Sequence, residues 1–349
     1  MEEIVIDKRE KISAYKKVCA KLGLIMCVYY ICRVLAGLVS YYLVNGVIAG
    51  QNTELGYFLN TLVSVLFCYA IPLILSALLF GSLGSYFKNS GGIRALYKKP
   101  RRLAKSLGNF AAMYGLGFTI NLLTILVFYI ISLVARNAGA VEIEEFFDQI
   151  AVGTPQSLVS AIVMFIVATI IAPIVEEFWV RGIIYDALKP YGCGMAIIIS
   201  SVLFGLLHGS LNMLFYTTAL GLALGYIRYA TDSLFVVTVL HMLINGVASV
   251  MLFLMSMVDI VGDGGGVFST LYIIYLIAML VLIVIGFVAF IKKIPVVRKY
   301  KITNEWDEVK SGKKIALFFV SVPVIIMLVF AFDTHANHML FEKIIELFP

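Results

Sequence analysis

A chain of 349 residues that is 61% hydrophobic and 14% charged, with mean hydropathy +0.99, lies outside the composition of soluble domains and excludes a water-soluble globule. Its long unbroken apolar runs exclude a β-barrel, whose strands would be short and alternating, so the fold class is all-α. The net charge of +6 arises from basic residues clustered between apolar runs, as insertion and anionic headgroups require, which argues against a nucleic-acid partner.

The segment Met1 to Lys21 is polar and charged, and the apolar run after it has no small-residue cleavage site, so it reads as an uncleaved anchor. Apolar runs follow at residues 22–47, 57–86, 107–135, 156–180, 194–209, 212–227, 234–257, 267–291 and 315–332. This pattern predicts a polytopic transmembrane helix bundle of eight to nine spans, with the fifth and sixth short enough to be partial or tilted. Placing the N-terminus in the cytoplasm puts 24 of the 27 Lys and Arg residues on the inner side, in a multi-pass protein of the cell membrane. Arg33 falls inside the first span and reads as a bundle-facing or snorkelling residue that hydrogen-bonds backbone or water. The five cysteines form no CxxC pair and are expected to be reduced and structural. Gly262 to Gly266 lacks the Lys-Ser/Thr of a phosphate loop and reads as a connector. His335 and His338, near the C-terminus, read as structural or solvated rather than as a metal pair.

Charge inside the spans is concentrated at Ala172 to Gly182, which holds Glu176, Glu177 and Arg181. Each such group costs about 2.5–3.5 kcal/mol near a bilayer centre, so the cluster requires neutralisation or a function. Glu177 and Arg181, four apart, share a helix face in the favourable order for an ion pair. Glu176 points about 100° away and is left as an unpaired carboxylate, a candidate general base or acid. His208 follows one turn after Phe204 and is flanked by Gly205 and Gly209, a small-xxx-small spacing that admits a close neighbour. Gly221 and Gly225 repeat that spacing, and His241 and Asn245 share one face of the seventh span. At 1.5 Å per residue Glu176 and His241 fall about 10–15 Å inside one boundary, while His208 counts to about 20 Å, so a common site requires a tilted or partial fifth helix. Scattered polar residues often act as interhelical glue, but this many, confined to three spans, point to one hydrated site.

Taken in order, Glu-Glu-x-x-x-Arg at 176–181, Phe-x-x-x-His at 204–208 and His-x-x-x-Asn at 241–245 resemble the three motifs of the CAAX protease and bacteriocin-processing (CPBP, or Abi) intramembrane peptidases. The resemblance covers roughly residues 156–250 and no motif position departs from it. It implies that Glu176 and His208 bind and activate a water, that His241 and Asn245 polarise the scissile carbonyl and hold the oxyanion, and that Glu177 and Arg181 support them. Peptide hydrolysis needs a base for water, an oxyanion donor and an acid for the leaving amine, and this set contains all three.

The chain then divides into residues 1–150, a cytoplasmic segment with three spans; 151–258, a CPBP-like catalytic core; and 259–349, the C-terminal spans and tail. The expected function is an intramembrane endopeptidase acting on a membrane-associated peptide or protein, with the lipid bilayer as its other partner. No cofactor is expected. Glu176, His208 and His241 could alternatively hold zinc, although no His-Glu-x-x-His helix is present and Asn245 is a poor zinc ligand. The competing readings are a transporter or channel using the same polar cluster, and a non-catalytic immunity or scaffold protein of the same fold.

Overall fold

The computed structural model describes residues 8–40, 53–79, 97–98, 103–137, 157–209, 211–262, 266–299, 302, 306 and 309–335, and among them every regular element is helical. In chain order these are α1 (Lys8–Val39), α2 (Thr53–Val65), α3 (Ile71–Leu79), α4 (Leu103–Leu107), α5 (Phe110–Asn137), α6 (Leu158–Ile166), α7 (Ala172–Glu177) and α8 (Tyr185–Leu188). They continue as α9 (Cys193–Leu207), α10 (Leu211–Thr231), α11 (Leu234–Val261), α12 (Val267–Lys299), α13 (Ser311–Phe319) and α14 (Val322–His335). The chain is a multi-pass membrane protein. Apolar side chains such as Leu271, Ile274, Ile277, Val281 and Val284 on α12 stand exposed, where only lipid suits them.

Among the described residues six helices are long and apolar enough to cross a bilayer, or seven if α13 and α14, bent by 69° at their junction, count as one span. This is fewer than the eight to nine expected from the whole sequence. Cys193–Leu207 is a shorter apolar helix, and α10, read as the sixth span, is interrupted by Asn212, Tyr216, Thr217, Thr218, Tyr226 and Arg228. α1 also begins at Lys8, well before the first apolar run. Tyr15, Cys19 and Leu22 lie on one helical face and are fully buried, so this face packs even though its flanks are charged. The Tyr15 hydroxyl donates to the Lys314 carbonyl at 2.8 Å, and Lys314 Nζ donates to the Tyr191 and Trp306 carbonyls. Cys19, Cys27, Cys32, Cys68 and Cys193 are all free thiols. His338 and residues 263–265 lie outside the described residues, as does the His335 side chain.

Two long helices carry a π-turn immediately before a proline. Ile71 N–H donates five residues back to the Leu66 carbonyl, and Ala172 N–H donates five back to Val167. The next residue in each case, Pro72 or Pro173, has no N–H, so the wide turn ends with a backbone carbonyl that its own helix leaves unpaired. A third π-turn, Phe178–Ile184, follows α7. Helix contacts are closest at glycine: a Cβ on Gly205 would overlap Thr218 of α10, and one on Gly221 would stand 3.0 Å from the Ser201 Cβ of α9.

Between α10 and α11, Asp232 adopts φ 47°, and its carboxylate accepts from Arg228 at 2.9 Å and Lys98 at 2.5 Å. Burial alone would raise its pKa, but these hydrogen bonds and the charges of Arg228 and Lys189 outweigh burial and hold it below the ordinary 3.8. With the folded value depressed, the stabilisation is complete above the unfolded value and is lost as pH falls through the folded one. Thermal melts should be flat near neutrality and drop as pH falls below about 4, with Asp232→Asn removing part of that acid limb.

Candidate active site

Glu176 and Glu177 close α7, and both are placed by what brackets it. The π-turn at Val167–Ile171 precedes Pro173, and the Ala168 carbonyl that Pro173 leaves unpaired accepts from Asn245 Nδ2 of α11 at 3.0 Å. Asn245 thereby ties α11 to the turn that presents Glu176. Asn245→Leu strips that carbonyl of its donor, and we expect a loss of about 1–3 kcal/mol in unfolding measured in micelles.

Glu177 and Arg181 form the expected i,i+4 pair at 2.8 Å, both with no solvent exposure. Arg181 Nη2 donates to the Gly221 carbonyl at 3.2 Å, and its guanidinium lies 4.3 Å from the Phe204 ring centroid. The same Glu177 Oε1 takes a hydrogen bond from His241 Nδ1 at 2.9 Å. A carboxylate only accepts, so the Nδ1 of His241 carries the proton and its Nε2 is the free end of the ring. That Nε2 faces Glu176 Oε2 at 3.8 Å, too long for a direct hydrogen bond.

His208 caps the C-terminus of α9, with Nδ1 2.9 Å from the Phe204 carbonyl. A carbonyl cannot donate, so here too Nδ1–H is the donor and Nε2 is left as the free end. The Phe204 ring stands edge-on to both histidines, with centroids 4.9 Å from His208 and 5.5 Å from His241. His208, at the end of α9, lines the same cavity as Glu176, so the two groups meet whatever their counted depths. That cavity, about 410 Å³, is bounded by Tyr29, Arg33, Tyr69, Glu176, Trp179 and His208. Asn245 is not in its wall.

Four contributors were invisible in the spacing. Tyr69, in the π-turn of the second span, donates its hydroxyl to Glu176 Oε1 at 3.0 Å, while Glu176 Oε2 is buried with no hydrogen-bond partner among the described residues. Tyr29 and Tyr30 of α1 each donate at 2.7 Å to the carbonyls of Leu207 and Leu206 at the end of α9. The last carbonyls of a helix lack intrahelical partners, so α1 supplies them and fixes the turn that carries His208. Trp179 Nε1 donates at 2.9 Å to Ser76 of α3, which locks the second span against the helix holding Glu176. Among the described residues no three His, Cys, Asp or Glu side chains are grouped to hold a metal ion.

Glu176 and His208 thus share one cavity, and the buried Glu177, Arg181 and His241 form a hydrogen-bonded network beside Glu176. A family model described as "Type II CAAX prenyl endopeptidase Rce1-like" matches residues 158–247, the stretch that holds all three motifs. The chain is also 36% identical over 83 residues to "Putative membrane peptidase YdiL" of Bacillus subtilis (strain 168), covering 24% of this chain and 34% of that protein. The chain thus aligns with about a third of the length of that relative. Both similarities agree with the resemblance to CPBP-family proteases that the three motifs carry. No solved structure matches it.

Proposed function

We propose that this protein is an intramembrane endopeptidase of the cell membrane that hydrolyses a peptide bond in a membrane-associated peptide or protein. The observation that carries this reading is the buried, unpartnered Glu176 Oε2 in a cavity shared with His208. Tyr69 occupies the other carboxylate oxygen, so one defined oxygen is available as base. Glu176 Oε2 takes one proton from water while His208 Nε2 accepts a hydrogen bond from the remaining O–H. The hydroxide oxygen attacks the carbonyl carbon, and the resulting oxyanion is held at an Nε2–H of His241, whose ring the Glu177 carboxylate orients through Nδ1. Glu176 then returns its proton to the leaving amine as the C–N bond breaks. Asn245, whose amide is engaged with Ala168, acts through the placement of Glu176. The reading is metal-free, in keeping with a sequence that has no His-Glu-x-x-His helix and places Asn245, a poor zinc ligand, in the third motif.

The test is mass-spectrometric detection of two products from an acyl-anchored peptide incubated with purified protein in micelles, with total metal determined on the same sample. Cleavage abolished by Glu176→Gln and His208→Ala, without stoichiometric zinc, is the expected result. Glu176-dependent ion flux in proteoliposomes without cleavage would establish a transporter instead, and stoichiometric zinc in active protein would overturn the metal-free step.

A further inference from the structure

The cavity wall opposite the CPBP-like core holds a cation that the proposed reaction does not use. Arg33 of α1 lies outside the matched segment 158–247. Its Nη1 donates to the Leu207 carbonyl at 3.2 Å and lies 3.5 Å from the Tyr29 hydroxyl, and no carboxylate among the described residues pairs with it. The turn after His208 is shaped to its guanidinium. Gly209 has φ +63°, and a Cβ there would stand 2.5–2.7 Å from Arg33 Nη2, Cζ and Nη1, so glycine is required both by the backbone and by the arginine. A guanidinium has five donors in a planar fork, most of which these contacts leave over, and in a membrane interior a fixed cation without a counter-charge is costly.

We propose that Arg33 is a substrate subsite that binds a carboxylate of the peptide while its scissile bond lies against Glu176. This rests on the peptidase reading above. Two sources present the same chemistry, a free C-terminus and an Asp or Glu side chain, and both satisfy the fork through paired charge-assisted hydrogen bonds. The competing role is that Arg33 only positions the His208 turn through the Leu207 carbonyl, or offsets the charge of Glu176. Either role would act alike on every substrate.

Binding of acyl-anchored peptides in micelles, measured by thermophoresis on full-length Glu176→Gln protein, separates these without requiring turnover. One pair of peptides lacks acidic side chains and ends in a free carboxylate or a carboxamide; a second pair is amidated and carries Glu or Gln. The expected result is at least about tenfold tighter binding of the acidic member of one pair, a preference that Arg33→Gln abolishes and Arg33→Lys keeps in part. The pair that responds identifies the source. Equal affinity within both pairs, no binding of any peptide, a preference that survives Arg33→Gln, or a uniform loss across all four peptides each overturns the proposal. Should Arg33→Gln fail to fold, Arg33→Lys carries the comparison. Cleavage by the parent protein is read separately, so failure of the peptidase reading is distinguishable from failure of this one.

Discussion

Glu176→Gln is expected to lower turnover of a membrane peptide by about 10²–10⁴-fold while leaving the protein folded. The amide matches the carboxylate in volume, and its oxygen can still accept from the Tyr69 hydroxyl, so the contact at 3.0 Å survives. What the amide cannot do is take a proton from water at the second oxygen, the one that stands buried and unpartnered. A kcat loss at unchanged KM and an unchanged melting curve would place the defect in the chemical step. Full activity in this variant together with inactivity of Glu177→Gln would reverse the assignment of the two neighbouring carboxylates.

Arg181→Leu should be the most destabilising of the simple substitutions, by about 3–5 kcal/mol, because it strands the fully buried Glu177 carboxylate without its cation. The loss includes the guanidinium contact with the Phe204 ring and the hydrogen bond to Gly221. Most of the penalty is the orphaned charge, so the double variant Glu177→Gln/Arg181→Leu should recover stability relative to Arg181→Leu alone. Glutamine keeps an acceptor for His241 Nδ1, which makes the comparison clean. Unfolding in micelles measures the cycle, and a double variant less stable than the single would show that the pair is not held by charge.

The division between Glu176 and Glu177 was legible because it depends only on helical spacing: four residues bring Glu177 to Arg181, and one residue turns Glu176 away. The resemblance to the CPBP peptidases over residues 158–247 was legible for a similar reason, since its motifs are short and lie within single helices. The contact of Glu177 with His241 was not, because it joins residues 64 apart, and nothing local records which face of one helix meets another. Tyr69, 107 residues from Glu176, sits in an apolar run where an aromatic residue reads as core. Arg33 announced itself only as a charge in a span, and its place in the cavity wall came from how α1 packs on the end of α9. The π-turns left a partial signature in Pro72 and Pro173, but a proline alone reads equally well as a kink.

Those wide turns make helical phase an adjustable quantity. Each holds one residue more than an α-turn, and so absorbs that residue without rotating the side chains that follow. Were the turn at Val167–Ile171 to tighten into an α-turn with no residue removed, the rest of the span Leu158–Tyr191 would rotate by about 100° relative to what precedes it. Glu176 would then leave the cavity even though every charged residue of the motif remained in the chain. In such a helix the hydrogen-bond pattern before the motif carries as much chemical information as the motif itself.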